Sequence, residues 1–199
     1  MLSSYDIYIC GVGGQGNIKT SIILAEAAMN NDLNVVMSEI HGMSQRGGVV
    51  STELRIGYMK SSIIEEEKSD MILAFEPLEA LRSLKKMNRN SEVIFNTSPI
   101  IPPTISQTGH MYPPVEKIIS RLGEYSDNVY PIEAEKLAKQ AGHILSLNMV
   151  LLGAASAIDT FPLSREVIIE SMENNLPPKT LKINHAAFNK GYNSIVELK

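Results

Sequence analysis

Apolar and polar positions along this 199-residue chain switch between two periods. Asp6 to Cys10 is a short, mostly apolar run that reads as a buried strand. Ile18, Ile22, Ala25 and Met29 then recur at i, i+4, i+7 and i+11, the stripe of an amphipathic helix. After the turn-rich "NDLN", the run Val35 to Ser38 restores a strand, so the chain is predicted to open with a right-handed βαβ unit whose strands run parallel. From Val49 to Ile56, Val50, Thr52, Leu54 and Ile56 alternate with Val49, Ser51, Glu53 and Arg55. That period of two predicts a strand with one solvated face, and with it a mixed sheet.

The alternation of strand and helix continues. "MILAF" (71–75) and "EVIFN" (92–96) read as strands, and "PLEALRSLKKMN" between them opens on Pro77, a favoured first helical position. Residues 99–114 hold five prolines, which fix φ and remove backbone donors, so an extended surface excursion is expected there and not a domain boundary. A helix "VEKIISRLGEY", a strand "NVYPI" and a helix "EAEKLAKQA" follow, then a mostly buried helix "LNMVLLGAASAI". "SREVIIESMENN" is capped by Ser164, and a last helix runs through "HAAFNKGYNSI". The whole chain, 1–199, is read as a single domain.

Composition narrows the class. With 44% hydrophobic and 20% charged residues and no apolar run near the roughly 20 residues of a membrane span, an ordinary globular protein is expected, with no membrane association. The start "MLSSYDIYIC" lacks a basic region and a cleavage site, which makes the cytoplasm the expected location. A formal net charge of -4 argues against a nucleic-acid backbone as partner. Cys10 is the one cysteine, so disulfides within the chain are excluded. A [4Fe-4S] cluster needs about four thiolates, and iron-sulfur chemistry would belong to a partner.

Candidate chemistry gathers in two loops. Gly11, Gly13 and Gly16 satisfy G-x-G-x-x-G between a strand and a helix, where backbone N–H groups and the helix dipole can hold an anion. A dinucleotide site also needs an acidic residue about 20 positions on, and Glu39 is the candidate. A triphosphate loop needs Lys and then Ser or Thr directly after Gly16, where Asn17 and Ile18 stand. Lys19 and Thr20 come two residues late, a rotation of roughly 200° around a helix, and that reading is set aside. The third reading is that the glycines simply let a tight turn bring the helix close to the strand.

The second loop, "EIHGMSQRGGVVS" (Glu39 to Ser51), follows the second strand and is expected at the same carboxyl edge of the sheet, where ligands gather in open α/β folds. Gly14, Gln15, His41, Ser44, Gln45 and Arg46 would form one polar surface there, with Arg46 offering a planar donor fork to a carboxylate or phosphate. The alternative is an internal salt bridge for Arg46 and a bulge at Gly47 and Gly48. His41, His110, His143 and His185 are too scattered for a zinc site. His41 serves either as a hydrogen-bond donor beside the loop or as a structural histidine. Glu65, Glu66, Glu67 and Lys68 read as a solvated turn, and no serine sits in a nucleophile elbow. Asn148 either caps the helix that follows or contacts a ligand.

"GVGGQG", "SEIHGMSQRGG", "AFEPLEALR", "LNMVLLGAA" and "LPPK" with "AAFNKGY", in this order from about Asp6 to Tyr192, together resemble the small subunits of indolepyruvate:ferredoxin oxidoreductases. The wider relationship is to the gamma subunit or domain of the 2-oxoacid:ferredoxin oxidoreductases. The resemblance implies a three-layer α/β/α fold with a Rossmann-like, mostly parallel but mixed sheet. It implies participation in the oxidative decarboxylation of an arylpyruvate to an acyl-coenzyme A, with electrons passed to ferredoxin. Thiamine diphosphate, its magnesium and the [4Fe-4S] clusters are expected on a large partner subunit and coenzyme A as co-substrate, with no cofactor, metal ligand or catalytic residue on this chain. No "GDG" motif for thiamine diphosphate is present, in keeping with that division. Gln15, Ser44, Gln45, Arg46 and Asn148 are the candidates for the face that packs on the partner and helps close the site where coenzyme A arrives. Asn17 stands where an aliphatic residue is more usual, which leaves the start of the helix open. The competing functions are a free-standing NAD(P)-dependent oxidoreductase resting on Gly11, Gly13, Gly16 and Glu39, and a non-catalytic interaction scaffold.

Overall fold

The computed structural model describes residues 4–42, 48–101 and 111–198. Among them, strands β1 (Ser4–Val12), β2 (Val35–His41), β3 (Val49–Gly57), β4 (Met71–Ala74), β5 (Glu92–Asn96) and β6 (Asn128–Ile132) form one sheet in the order β2-β3-β1-β4-β5-β6. The helices are α1 (Asn17–Asn30), α2 (Pro77–Arg82), α3 (Val115–Gly123), α4 (Ala134–Ala141), α5 (Leu147–Ser156), α6 (Arg165–Asn175) and α7 (Leu181–Val196). Strands β1, β4, β5 and β6 run parallel, and β3 lies antiparallel between β1 and β2. The opening βαβ unit is corrected on one point. β2 runs in the direction of β1 but does not pair with it, because the hairpin partner β3 takes the place beside β1.

Two helical layers cover the sheet. Ile7, Ile9, Leu73, Phe75 and Ile94 face α1, α4, α5, α6 and α7, while Cys10, Ile72, Ala74 and Phe95 face α2 and α3. The all-apolar β4 is buried on both faces, as central parallel strands are. Pro131 is tolerated in β6 because β6 is an edge strand, where a missing donor breaks no ladder. In the thicker layer α5 and α7 cross with backbone on backbone. A Cβ on Gly153 would stand 2.0 Å from the Phe188 carbonyl oxygen, and one on Gly191 would stand 1.8 Å from that of Val150.

The buried face of α1 differs from the predicted stripe. Thr20, Ser21, Ile23, Leu24, Ala27 and Ala28 are buried, whereas Met29 is 63% exposed. Small hydroxyl residues can face the core because their own helix satisfies them: Thr20 Oγ1 donates to the Gly16 carbonyl and Ser21 Oγ to that of Ile18. The solvated face predicted for β3 is also overturned, since Ser51 and Glu53 are buried. The crossover after β3 covers that face. Arg55 pairs bidentately with Asp6 (2.9 and 2.8 Å) and donates to the Ser61 and Ile63 carbonyls. Glu53 accepts from the Ile64 N–H (2.5 Å) and from Lys86 Nζ (2.9 Å). Polar alternation marks a solvated face only when no chain returns over it.

Further along, α2 ends at Arg82 and passes into a 3-10 turn over Ser83–Lys86. Ser164 caps α6, its Oγ accepting from the Val167 N–H. No described helix is long and apolar enough to cross a membrane.

Candidate functional site

The order of strands fixes where a site can form. From β1 the chain leaves through α1 on one face of the sheet, and from β4 it leaves through α2 on the other. The carboxyl ends of β1 and β4 therefore flank a topological switch point, the place where open α/β sheets leave a crevice. The glycine turn lies at this point. Gly16, at φ +88°, enters α1 without a side-chain cap, and no acidic residue occupies the first turn of the helix that starts at Asn17. Gln15 braces the turn: its Oε1 accepts from the Val12 N–H (2.7 Å) and its Nε2 donates to the Phe75 carbonyl (2.8 Å), linking the ends of β1 and β4. Both amide atoms of this candidate are engaged within the chain.

The two predicted loops meet. The Gly13 N–H donates to the Gly48 carbonyl (2.9 Å), and Gly48 stands just before β3 rather than in it. Asn148 also arrives at the turn. A Cβ on Gly16 would come within 2.7 Å of Asn148 Nδ2, while Asn148 Oδ1 accepts from the Met149 N–H (3.1 Å); Asn148 is not the cap the sequence suggested, since α5 starts at Leu147 with Ser146 at the N-cap. His41 and Val50 join Gly13, Gly14, Gly16 and Asn17 around a cavity of about 330 Å³. Asn17 is buried there, its Nδ2 donating to the Val50 carbonyl (3.3 Å) and its Oδ1 without a partner among the described residues. Of the remaining candidates, Ser44, Gln45, Arg46 and Gly47 lie outside the described residues, as does His110.

Glu39 does not serve the glycine turn as a ribose acid would. It lies in β2, which continues to His41, and its carboxylate pairs with His41 Nε2 at 3.0 Å on an exposed edge strand. With β3 between them, β2 and β1 stand about 10 Å apart across the sheet. The dinucleotide reading is left with its glycines but without its acid.

Sequence reasoning missed the groups that complete this edge. Asn96, the last residue of β5, is buried; its Nδ2 donates to the Phe75 carbonyl (3.2 Å) and its Oδ1 accepts from the Ser98 N–H (3.3 Å). Asn96, Ser98, Ile100 and Glu135 line a crevice of about 250 Å³ with Gly14, Gln15, Ile144, Leu145 and Leu147. Glu76 caps α2 and also binds Ile100 and Tyr112. The signal available was positional: a polar residue directly after an apolar strand, and an acid directly before Pro77. A third cavity, about 570 Å³, lies where Leu145 and Asn148 meet Leu176, Pro177, Lys179 and Ile183. Around these openings Ile100, Ile101, Met111, Ile144 and Leu145 are exposed, an apolar rim on the same edge.

Two buried titratable groups lie beneath this edge. Burial pushes the Cys10 thiol well up, helped by the nearby Glu79 and Glu76, and its Sγ donates to the Glu79 carbonyl (3.5 Å). Burial raises Glu79 as well, against the pull of Arg82, with which it pairs. Among the described residues no three His, Cys, Asp or Glu side chains are grouped to hold a metal ion.

Comparison with known proteins bears on the family and the fold. The family described as pyruvate ferredoxin/flavodoxin oxidoreductase matches residues 6–194. Indolepyruvate oxidoreductase subunit IorB of Methanothermobacter thermautotrophicus is 56% identical over 194 residues, covering 98% of this chain and 99% of that one. Among solved structures, the keto/oxoacid ferredoxin oxidoreductase gamma subunit of Geobacter sulfurreducens superposes with a TM-score of 0.70 at 22% identity, over 97% of this chain and 99% of the other. The 2-oxoglutarate:ferredoxin oxidoreductase of Magnetococcus marinus, solved with 2-oxoglutarate, coenzyme A and succinyl-CoA bound, superposes at 0.77 with 22% identity. There the match covers all of this chain but 32% of the longer one, so the same fold occurs as a separate chain and as part of a larger one.

Proposed function

The chain belongs to the pyruvate ferredoxin/flavodoxin oxidoreductase family, and from that membership we propose that it is the small subunit of an indolepyruvate or related arylpyruvate:ferredoxin oxidoreductase. The observation that carries this is the 56% identity to a subunit of that name over nearly the full length of both chains. The large subunit would hold thiamine diphosphate, magnesium and the [4Fe-4S] clusters and pass electrons to ferredoxin, in the cytoplasm. This chain's own side chains do not fit those groups: its one thiol is buried and engaged with Glu79, and no cluster of metal ligands stands among the described residues. No step of the chemistry is therefore assigned to it.

Its contribution is to the surroundings of the reaction. Acting as one unit, it would present the carboxyl edge, with Gly11 to Gly16, His41, Ser44 to Gly48 and Asn148, to the large subunit, where coenzyme A enters to take the acyl group released by decarboxylation. Gln15 and Asn96 favour this role by using their amides to hold strand ends in register, which keeps the edge rigid. The apolar rim favours it too, since exposed clustered hydrophobic side chains mark interaction surfaces. Reconstitution tests the reading. Mixing this chain with its large subunit should give 2-oxoacid- and coenzyme A-dependent reduction of ferredoxin, and full activity of the large subunit alone would refute it.

A further inference from the structure

Glu76 stands two residues after β4 and is 1% exposed, yet three separate pieces of chain share its carboxylate. Oε2 accepts from the N–H groups of Leu78 (2.7 Å) and Glu79 (3.1 Å), which caps α2. Oε1 accepts from the Ile100 N–H (3.1 Å), on the stretch leaving β5, and from the Tyr112 hydroxyl (2.5 Å), on the stretch entering α3. The Tyr112 oxygen accepts in turn from the Leu78 N–H (3.1 Å). A cap needs one acceptor oxygen. The second reaches partners 24 and 36 residues away in sequence. Burial and the adjacent Glu76 push the Tyr112 hydroxyl far above its ordinary range, so it keeps the proton it donates.

These bonds fix one wall of the crevice at the switch point. Ile100 lines that crevice together with Gly14 of the glycine turn. Gln15 and Asn96, which also line it, both donate to the carbonyl of Phe75, the residue before Glu76. The lining thus hangs on adjacent residues, and Ile100 has no other side-chain anchor for its N–H among the described residues.

We propose that Glu76 is a positioning residue of this crevice: through the Ile100 N–H and the Tyr112 hydroxyl it sets how far the proline-rich side stands from the glycine turn, and so how well coenzyme A is received. The catalytic half of this rests on the small-subunit reading; the geometric half does not. In Glu76→Gln one oxygen remains for the helix cap, and the amide nitrogen can no longer accept from Ile100 and Tyr112. Tyr112→Phe removes only the hydroxyl and leaves the cap intact, so it keeps the question open to test if the first variant folds poorly.

Hydrogen exchange is read on the full chain and kinetics on the enzyme reconstituted with its large subunit. In Glu76→Gln the Ile100 amide should exchange at least about tenfold faster while amides of β4 keep their wild-type protection; Tyr112→Phe leaves Oε1 to accept from the Ile100 N–H and is read by the kinetics. The KM for coenzyme A should rise roughly threefold to tenfold with kcat within about twofold, because binding geometry is lost and chemistry is not. Unchanged Ile100 exchange in Glu76→Gln, or an unchanged KM for coenzyme A in the folded variants, overturns the proposal. If the wild-type pair shows no activity, the subunit reading fails, and the exchange result still decides whether Glu76 holds the wall.

Discussion

The two edges of the sheet make a direct comparison. The amino edge has the larger opening, about 690 Å³, lined by Glu67, Lys68, Asp70, Asn88, Arg89 and Glu124 among others, but charges of both signs alternate around it and Arg89 pairs with Asp127. The carboxyl edge has smaller openings, about 250, 330 and 570 Å³, yet there the glycine turn, the β2–β3 loop, the end of β5 and the start of α5 converge. Polar groups toward the amino edge, Asp6 on β1 with Glu53 and Arg55 on β3, pair with one another, with Lys86 and with the segment that covers them. Those on the carboxyl side bind strand ends to one another and leave an apolar rim exposed. Size therefore does not decide between the edges. Convergence of loops at a switch point is what supports the carboxyl edge as the proposed working edge.

The comparison breaks most severely if the layer carrying α5 shifts, because α5 brings Leu147 and Asn148 to the carboxyl edge. Gly191→Ala places a methyl against the Val150 carbonyl and must push α5 and α7 apart. We expect a loss of about 3 kcal/mol, and a fall in Tm of roughly 10 °C, by thermal unfolding. A wild-type Tm would show that the crossing is looser than described.

A smaller effect sharpens the amino side. Burial raises the Asp70 carboxyl against the hydrogen bond from the Asp6 N–H and the charge of Arg55, while the Asp6 carboxylate adds to the rise. A carboxyl whose folded pKa is raised favours the fold at acid pH, and that advantage disappears as pH rises through the folded value. Asp70→Asn keeps an acceptor for the Asp6 N–H (2.7 Å) and removes the cost of the charge. The variant should be slightly more stable than wild type at neutral pH, and the gain should close toward pH 4 and below, the ordinary carboxylate range. Urea titrations at the two pH values check this; a gain that grows on acidification contradicts it.

Much of this architecture was legible in the sequence. The strands came from short apolar runs, α6 from Ser164, and the meeting of the two glycine loops from their shared position after parallel strands. The face of α1 was not legible, because Thr20 and Ser21 bury hydroxyls satisfied by the helix itself while the larger Met29 stays in solvent. The place of β3 beside β1 was hidden as well, since pairing partners depend on tertiary contacts that periodicity does not encode. At the site, Gln15 and Asn148 were found from motifs. Asn96 and Glu76 were not, because an amide or a carboxylate reveals its partners only once distant segments such as those at Ile100 and Tyr112 are brought together.

The central claim, that the carboxyl edge faces the large subunit, is best tested by a matched pair of surface changes. Leu145 at the carboxyl edge is 75% exposed, and Tyr58, which follows β3 at the amino edge, is 77% exposed. Each is replaced by Asp, and the affinity for the large subunit is measured by calorimetry alongside Tm. Leu145→Asp should weaken association roughly 100-fold, as loss of an apolar anchor does, while Tyr58→Asp leaves it unchanged and neither variant loses Tm. Undiminished binding by Leu145→Asp, or a loss confined to Tyr58→Asp, would contradict the assignment of the working edge.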